Sequence, residues 1–255
     1  MQKLVVERIS GGGQRSLRLN DGFTLAEILI TLTIIGVVAS MTLPAIIQKN
    51  TEKTTVARLK KAYSTLSQAY LGVLSNDGSP DEWNLPYYME DDGGQYILDK
   101  FKPWLKIIKD CGTREKGCYS EGNEDTKKET AAKVVLNDGT CLSFKVWQEQ
   151  CMASFGNVQQ VKNICGIIEV DVNCLKTPNK SGQDIFRFFL TKDRIFPYGT
   201  ALQDSGDLDN PHRLSFAYCA KHKGGLGCTA WVLYNENMDY LRCSDLSWDG
   251  KKKCK

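Results

Sequence analysis

Residues Phe23 to Ile47 read FTLAEILITLTIIGVVASMTLPAII and hold a single formal charge, Glu27. As a helix rising ~1.5 Å per residue, a run of this length reaches across a bilayer. A helix that is apolar on every side needs lipid, other subunits or the centre of a large core around it. A carboxylate inside such a run is costly, and it marks a functional residue by default.

Before the run stands a polar leader, Met1 to Gly22. Its basic residues Lys3, Arg8, Arg15 and Arg18 outnumber Glu7 and Asp21, and the Gly11-Gly12-Gly13 run works against regular structure. A secretory signal is cut after its apolar region. Val37-x-Ala39 offers one such ending, which would release a secreted protein starting at Ser40, but Glu27 then interrupts the signal.

After the run the pattern stays helical. Val56, Leu59, Tyr63, Leu66, Tyr70 and Val73 fall on one stripe, with Lys, Gln, Ser and Thr opposite. Asn76-Asp77-Gly78 and then Pro80 end it. One helix is therefore expected over about 23–75, on the order of 80 Å long. Its first part, 23–47, spans a membrane or a filament core, and its second, 48–75, is an amphipathic stalk. Pro44 loosens the first part because it lacks an N–H, and Gly36, Ala39 and Ser40 permit close helix approach. Basic residues flank both ends of the run, so the positive-inside rule does not orient it.

The 10 cysteines all lie beyond the run. An even number confined to one side fits a segment exported to an oxidising compartment and closed by disulfides. Metal binding is the rival reading, but there is no C-x-x-C pair, and His212 and His222 stand apart. Closeness in sequence favours Cys111 with Cys118 and Cys219 with Cys228. The net charge of +3 is small for 255 residues, so no nucleic-acid partner is expected.

The remaining residues, 76–255, form the expected head. Asp77 to Gly94 is acidic and loop-like. Gln95 to Lys109 places Ile97, Phe101, Trp104, Leu105 and Ile108 on helical spacing despite Pro103, which predicts a short helix. Val134 to Leu136 and Cys141 to Phe144 flank the turn Asn137-Asp138-Gly139-Thr140, a hairpin signal. Ile164 to Val172, Asp184 to Leu190 and Ile195-Phe196 read as strands, and Cys228 to Asn235 fits a strand or a helix, with a short helix preferred. The fold class is α+β, with a long N-terminal helix packed on an antiparallel, disulfide-rich sheet. The Trp residues read as core or as cover for disulfides. No nucleophile elbow, zinc-protease helix or phosphate-binding glycine loop occurs, so no enzyme is expected.

Gly22-Phe23-Thr24-Leu25-Ala26-Glu27, the apolar run and Pro44 together resemble the N-terminus of type IV prepilins and the pseudopilins of type II secretion. The resemblance implies a pilin-like fold and cleavage by a prepilin peptidase between Gly22 and Phe23, followed by methylation of Phe23. Asp21 stands where the family more often has a basic residue. An amine freed at Phe23 of a neighbouring subunit is a cation lying in the same apolar layer, and Glu27 pairing with it would set the axial register between helices. The alternative is that Glu27 merely snorkels to the headgroups. A second segment, Asp171-Val172-Asn173 followed by Pro178-Asn179-x-x-Gly182-x-Asp184-x-Phe186, resembles one seen in pilin-like heads. Asp171, Asn173 and Asp184 offer oxygens of the kind calcium takes, and an Asn/Gly turn bonding its own backbone is the competing reading. No other cofactor is expected.

The expected function is that of a structural subunit, a minor one given its large cysteine-rich head, of a type IV pilus or a type II secretion pseudopilus. It assembles through its N-terminal helix. The implied partners are prepilin peptidase, other pilin or pseudopilin subunits, the inner-membrane platform and assembly machinery, and lipid. The implied location is a single pass of the inner membrane, leader cytoplasmic and head periplasmic, and then the filament. An anchored binding module, an adhesin or a DNA-uptake receptor, is the alternative.

Overall fold

The computed structural model describes residues 23–87, 90, 92–115, 117–119, 130–154, 162–199, 216, 219 and 225–254. The leader, Gly22, His212 and His222 lie outside the described residues. The chain divides into two units, meeting at Ile47 and Gln48.

Helix α1 runs over Leu25–Asp77 and passes Pro44 without a break. In the first unit it is apolar and exposed on every side: Phe23, Leu29, Ile35, Met41 and Ile47 all face outward. The segment is long and apolar enough to cross a membrane. Its hydroxyls do not stand in the way. Those of Thr31, Thr33, Ser40 and Thr42 donate to the carbonyls of Ile28, Leu29, Val37 and Val38 at 2.7–3.0 Å. Each of these hydroxyls is thus satisfied within its own helix, as an apolar solvent requires.

The second unit is built on the rest of α1 and one six-stranded sheet. The strands are β1 (Ile107–Gly112), β2 (Ala131–Leu136), β3 (Cys141–Val146), β4 (Ile164–Asp171), β5 (Ile185–Thr191) and β6 (Ile195–Pro197), in the order β1-β2-β3-β4-β5-β6. Every neighbouring pair is antiparallel. The β2–β3 turn is the Asn137-Asp138-Gly139 run, closed by Leu136 N–H to Thr140 O at 2.8 Å and with Gly139 at φ 81°.

Period two puts alternate residues on the two faces. One face carries Ala132, Val134, Leu142, Phe144, Ile168, Val170, Phe186 and Phe188, and these share one core with Val56, Leu59, Leu66, Tyr70 and Val73 of α1. Tyr63 stacks on Phe188 with ring centroids 5.4 Å apart. The Tyr70 hydroxyl reaches past the sheet to the carbonyls of Thr191 and Lys192, each at 2.8 Å. The other face is also covered. Ile164, Ile167, Phe189, Phe196 and Tyr198 form one cluster there, and Tyr119, Cys141, Cys174 and Ile185 another. Glu169 and Arg187 are opposite each other on β4 and β5, and they form a buried ion pair.

Helix α2 (Gly93–Phe101) lies tightly against the sheet: a Cβ on Gly94 would sit 2.1 Å from the Phe144 carbonyl oxygen. The helix expected over 95–109 needs correction. α2 ends at Phe101, a 3-10 turn covers Lys102–Trp104, and Ile107 and Ile108 belong to edge strand β1. Pro103 has no N–H to carry the helix on, and the β-branched pair that follows suits a strand. Helix α3 (Thr229–Asn235) buries Trp231, which stacks on Phe216 at 4.0 Å.

The structure pairs all ten cysteines: Cys111–Cys118, Cys141–Cys174, Cys151–Cys165, Cys219–Cys228 and Cys243–Cys254. The architecture is α+β and pilin-like: a long N-terminal apolar helix, an antiparallel six-stranded sheet and several disulfides.

Candidate functional site

The N-terminus of α1 closes on itself. Glu27 Oε2 accepts from the Thr24 N–H and from the Thr24 hydroxyl, both at 2.8 Å, and Thr24 Oγ1 accepts from the Glu27 N–H at 3.2 Å. This is a reciprocal capping box, in which the residue before the helix and the third residue inside satisfy each other's free donors. The Thr-x-x-Glu spacing is legible in the sequence, and Thr24 is the capping residue that reading for charge alone passes over. Glu27 Oε1 accepts nothing among the described residues, so one carboxylate oxygen stays open to a donor from outside the chain. Phe23 sits just ahead of the cap, 83 % exposed.

Farther along the helix, nothing lies within 4 Å of where a Gly36 Cβ would be. Pro44 has no N–H for the Ser40 carbonyl, and the Ser40 hydroxyl is turned to Val37 O. Small residues and a weakened hydrogen-bond ladder thus fall on one stretch of an otherwise uniform apolar surface.

The second candidate, Asp171 with Asn173 and Asp184, is brought together in the loop after β4. Asp184 Oδ2 accepts from Asn179 N at 2.7 Å and from Asn173 Nδ2 at 3.2 Å, and its Oδ1 accepts from Lys180 N at 2.7 Å. Asp171 Oδ1 accepts from Asn173 N at 3.1 Å. The N–H groups of Gln183, Asp184 and Ile185 converge in turn on Lys180 O at 3.0–3.2 Å. Both carboxylates accept from N–H donors, which compete with a cation for their oxygens, while the buried Asn173 Oδ1 has no hydrogen-bond partner among the described residues. The arrangement is a carboxylate-capped turn. Burial, with the charges of Asp184 and Glu169 close by, raises the Asp171 carboxyl to about 7. Among the described residues no group of three or more His, Cys, Asp or Glu side chains could hold a metal.

Among the described acidic residues of the 77–94 stretch, three are engaged by cations: Asp77 by Lys100 at 2.7 Å, Asp81 by Lys192, and Asp92 by Arg114 at 3.1 Å. No catalytic constellation is assembled among the described residues.

Comparison of the whole chain with curated proteins and with solved structures finds no match. Residues 17–43 match the family model described as the prokaryotic N-terminal methylation motif, and the chain carries the type IV prepilin and pseudopilin signature.

Proposed function

We propose that this chain is a minor structural subunit of a type IV pilus or a type II secretion pseudopilus. It is made as a prepilin, cut between Gly22 and Phe23 by prepilin peptidase, methylated at Phe23, and assembled through residues 23–47. The observation that carries this reading is the methylation motif over residues 17–43, together with the exposure of the large apolar side chains from Leu25 to Ile47 of α1. The family with this motif is one of structural subunits, and the mechanism is assembly rather than turnover.

Glu27 supplies the register. In an isolated subunit the capping box gives Glu27 Oε2 two donors, which lowers the cost of holding a carboxylate in lipid. Cleavage creates an amine at Phe23. When helices leave lipid and pack together, the amine of one subunit meets Glu27 Oε1 of the next. A helix displaced along the axis would leave both charges unpaired in an apolar layer, so the pair selects one stagger. Before assembly the subunit crosses the inner membrane once, leader inside and head in the periplasm, where its disulfides form. There it meets the platform and the other subunits.

Intact-mass and N-terminal peptide mass spectrometry of the protein purified from membranes tests this. The expected mature chain begins at N-methyl-Phe23. A chain that begins at Ser40, or one that keeps its leader, overturns the reading.

A further inference from the structure

The five disulfides differ in what covers them. Eight cysteines are buried, none more than 9 % exposed, while Cys243 and Cys254 are half-buried at the surface. Cys254 also has an unusual setting: it follows Lys251-Lys252-Lys253 and precedes Lys255. Lys251 is held by Asp245 at 2.8 Å, and Lys252 and Lys253 are exposed. Cationic neighbours draw in an attacking thiolate, and they stabilise the negative charge on the thiolate that departs, which makes it the better leaving group.

The same disulfide ends a chain of contacts that reaches α1. The Cys254 N–H donates to Asp239 Oδ2 at 2.8 Å. Asp239 Oδ1 accepts from Arg242 Nη2, and Arg242 Nη1 is paired with Glu52 of α1. Glu52 lies just before Thr55 and Val56, the first side chains of α1 that the core buries. Asn237 Nδ2 adds a hydrogen bond to Lys252 O at 3.1 Å. The disulfide therefore holds the segment around Cys254 against Asp239, and Asp239 orients the arginine that grips the helix.

We propose that Cys243–Cys254 is a thiol-exchange site, opened selectively among the five bonds by a dithiol, and that opening it loosens the head's grip on α1 at Glu52. A thiolate of the dithiol attacks Cys243 Sγ, the S–S bond breaks, and Cys254 leaves as a thiolate among its lysines. The second thiol of the reagent then attacks the mixed disulfide and releases Cys243. Two electrons pass from the dithiol, which becomes a disulfide, to the protein, which gains two thiols. The released segment no longer presents the Cys254 N–H to Asp239, and the carboxylate that orients Arg242 loses the partner that fixes its other oxygen.

The full mature chain in detergent micelles is exposed to limiting dithiothreitol, trapped with N-ethylmaleimide and mapped by peptide mass spectrometry. Cys243 and Cys254 are expected to label at least tenfold faster than any other pair. The double variant Lys252→Gln, Lys253→Gln should slow that labelling severalfold. Hydrogen exchange over residues 48–56 should rise severalfold in the partly reduced protein, and equally in Cys243→Ser, Cys254→Ser. Labelling of a buried pair at the same rate overturns the selectivity, and unchanged exchange over 48–56 overturns the link to α1.

Discussion

Thr24 and Glu27 hold each other at the start of α1, through two donors on Glu27 Oε2 and one returned to Thr24 Oγ1. A carboxylate in this box has two tasks that are separable by substitution. It completes the cap by accepting from the Thr24 N–H and hydroxyl, and it carries the charge that the assembly reading requires. Gln at the same place keeps an acceptor oxygen for the cap and removes the charge. Glu27→Gln is therefore expected to be inserted and cleaved at wild-type levels but to form at least tenfold fewer filaments, counted by sedimentation and electron microscopy. Normal filament yield from this variant refutes the ion pair. Thr24→Ala tests the cap by itself and should weaken assembly less than Glu27→Gln does.

The buried Asp171 sets a pH dependence of opposite sign to that of an ordinary paired carboxylate. Its folded-state pKa, about 7, lies above its unfolded value near 4. The proton is held more tightly in the folded state, so this contribution to stability is complete below pH ~4 and is lost as the pH rises through 7. The ionised group above that point costs on the order of 4 kcal/mol. Asp171→Asn mimics the protonated acid and keeps an acceptor for the Asn173 N–H. By thermal unfolding, the variant should match the wild type at pH 4 and exceed it by roughly 10 °C at pH 8. An equal gap at both pH values removes Asp171 as the cause. Calcium at millimolar concentration should leave the wild-type transition unmoved, and a clear upward shift would restore the cation site.

Much of this layout is readable without coordinates because it is local. The apolar run, the stripe from Val56 to Val73 and the Asn-Asp-Gly turn each carry their signal within a few residues. What could not be read depends on register between distant strands. Cys141 begins β3 opposite Asp171 on β4, and this brings Cys174, 33 residues on, within bonding distance. Cys151 and Cys165 meet because β3 and β4 form a hairpin with Val146 opposite Gly166. The Glu169–Arg187 pair is likewise invisible until the two strands are aligned. Strand β1 was masked by a periodicity from Ile97 to Ile108 that fits a helix, whereas Ile108 is 67 % exposed and, of the periodic set, Ile97, Phe101 and Leu105 alone are buried. At the N-terminus of α1 the capping partner was in plain view as Thr-x-x-Glu, but reading for charges does not ask what a threonine accepts.

Two leucines on the stalk separate packing from propensity. Leu66 is fully buried in the core beneath the sheet, and Leu71, five residues on, is 65 % exposed. Both substitutions to Ala favour the helix slightly, so any difference between them comes from the core. Leu66→Ala should cost about 3 kcal/mol through lost contacts and the cavity left behind. Leu71→Ala should fall within about 0.5 kcal/mol of the wild type. Urea unfolding of the second unit, residues 48–255, followed by tryptophan fluorescence measures both. Similar losses at the two positions would mean that the stalk is not held on the sheet by this stripe.

The seat of α2 offers the sharpest steric test. Gly94 donates its N–H to Thr130 O at 2.9 Å, and an added Cβ would lie 2.1 Å from Phe144 O and 2.5 Å from Ala132 N. These are main-chain atoms of two paired strands, and they cannot rotate away as a side chain does. The helix must lift, which separates Ile97, Leu98 and Phe101 from Phe144 and Val146. Ala is otherwise the better helix residue by about 1 kcal/mol, so propensity and packing oppose each other here and their sizes decide the sign. Displacing three fully buried side chains outweighs that gain several times over. Gly94→Ala is expected to lower the melting temperature by at least ~10 °C, with near-ultraviolet circular dichroism reporting loosened aromatic packing around Phe101 and Phe144. A variant as stable as the wild type would show that α2 is not seated on the sheet at this distance.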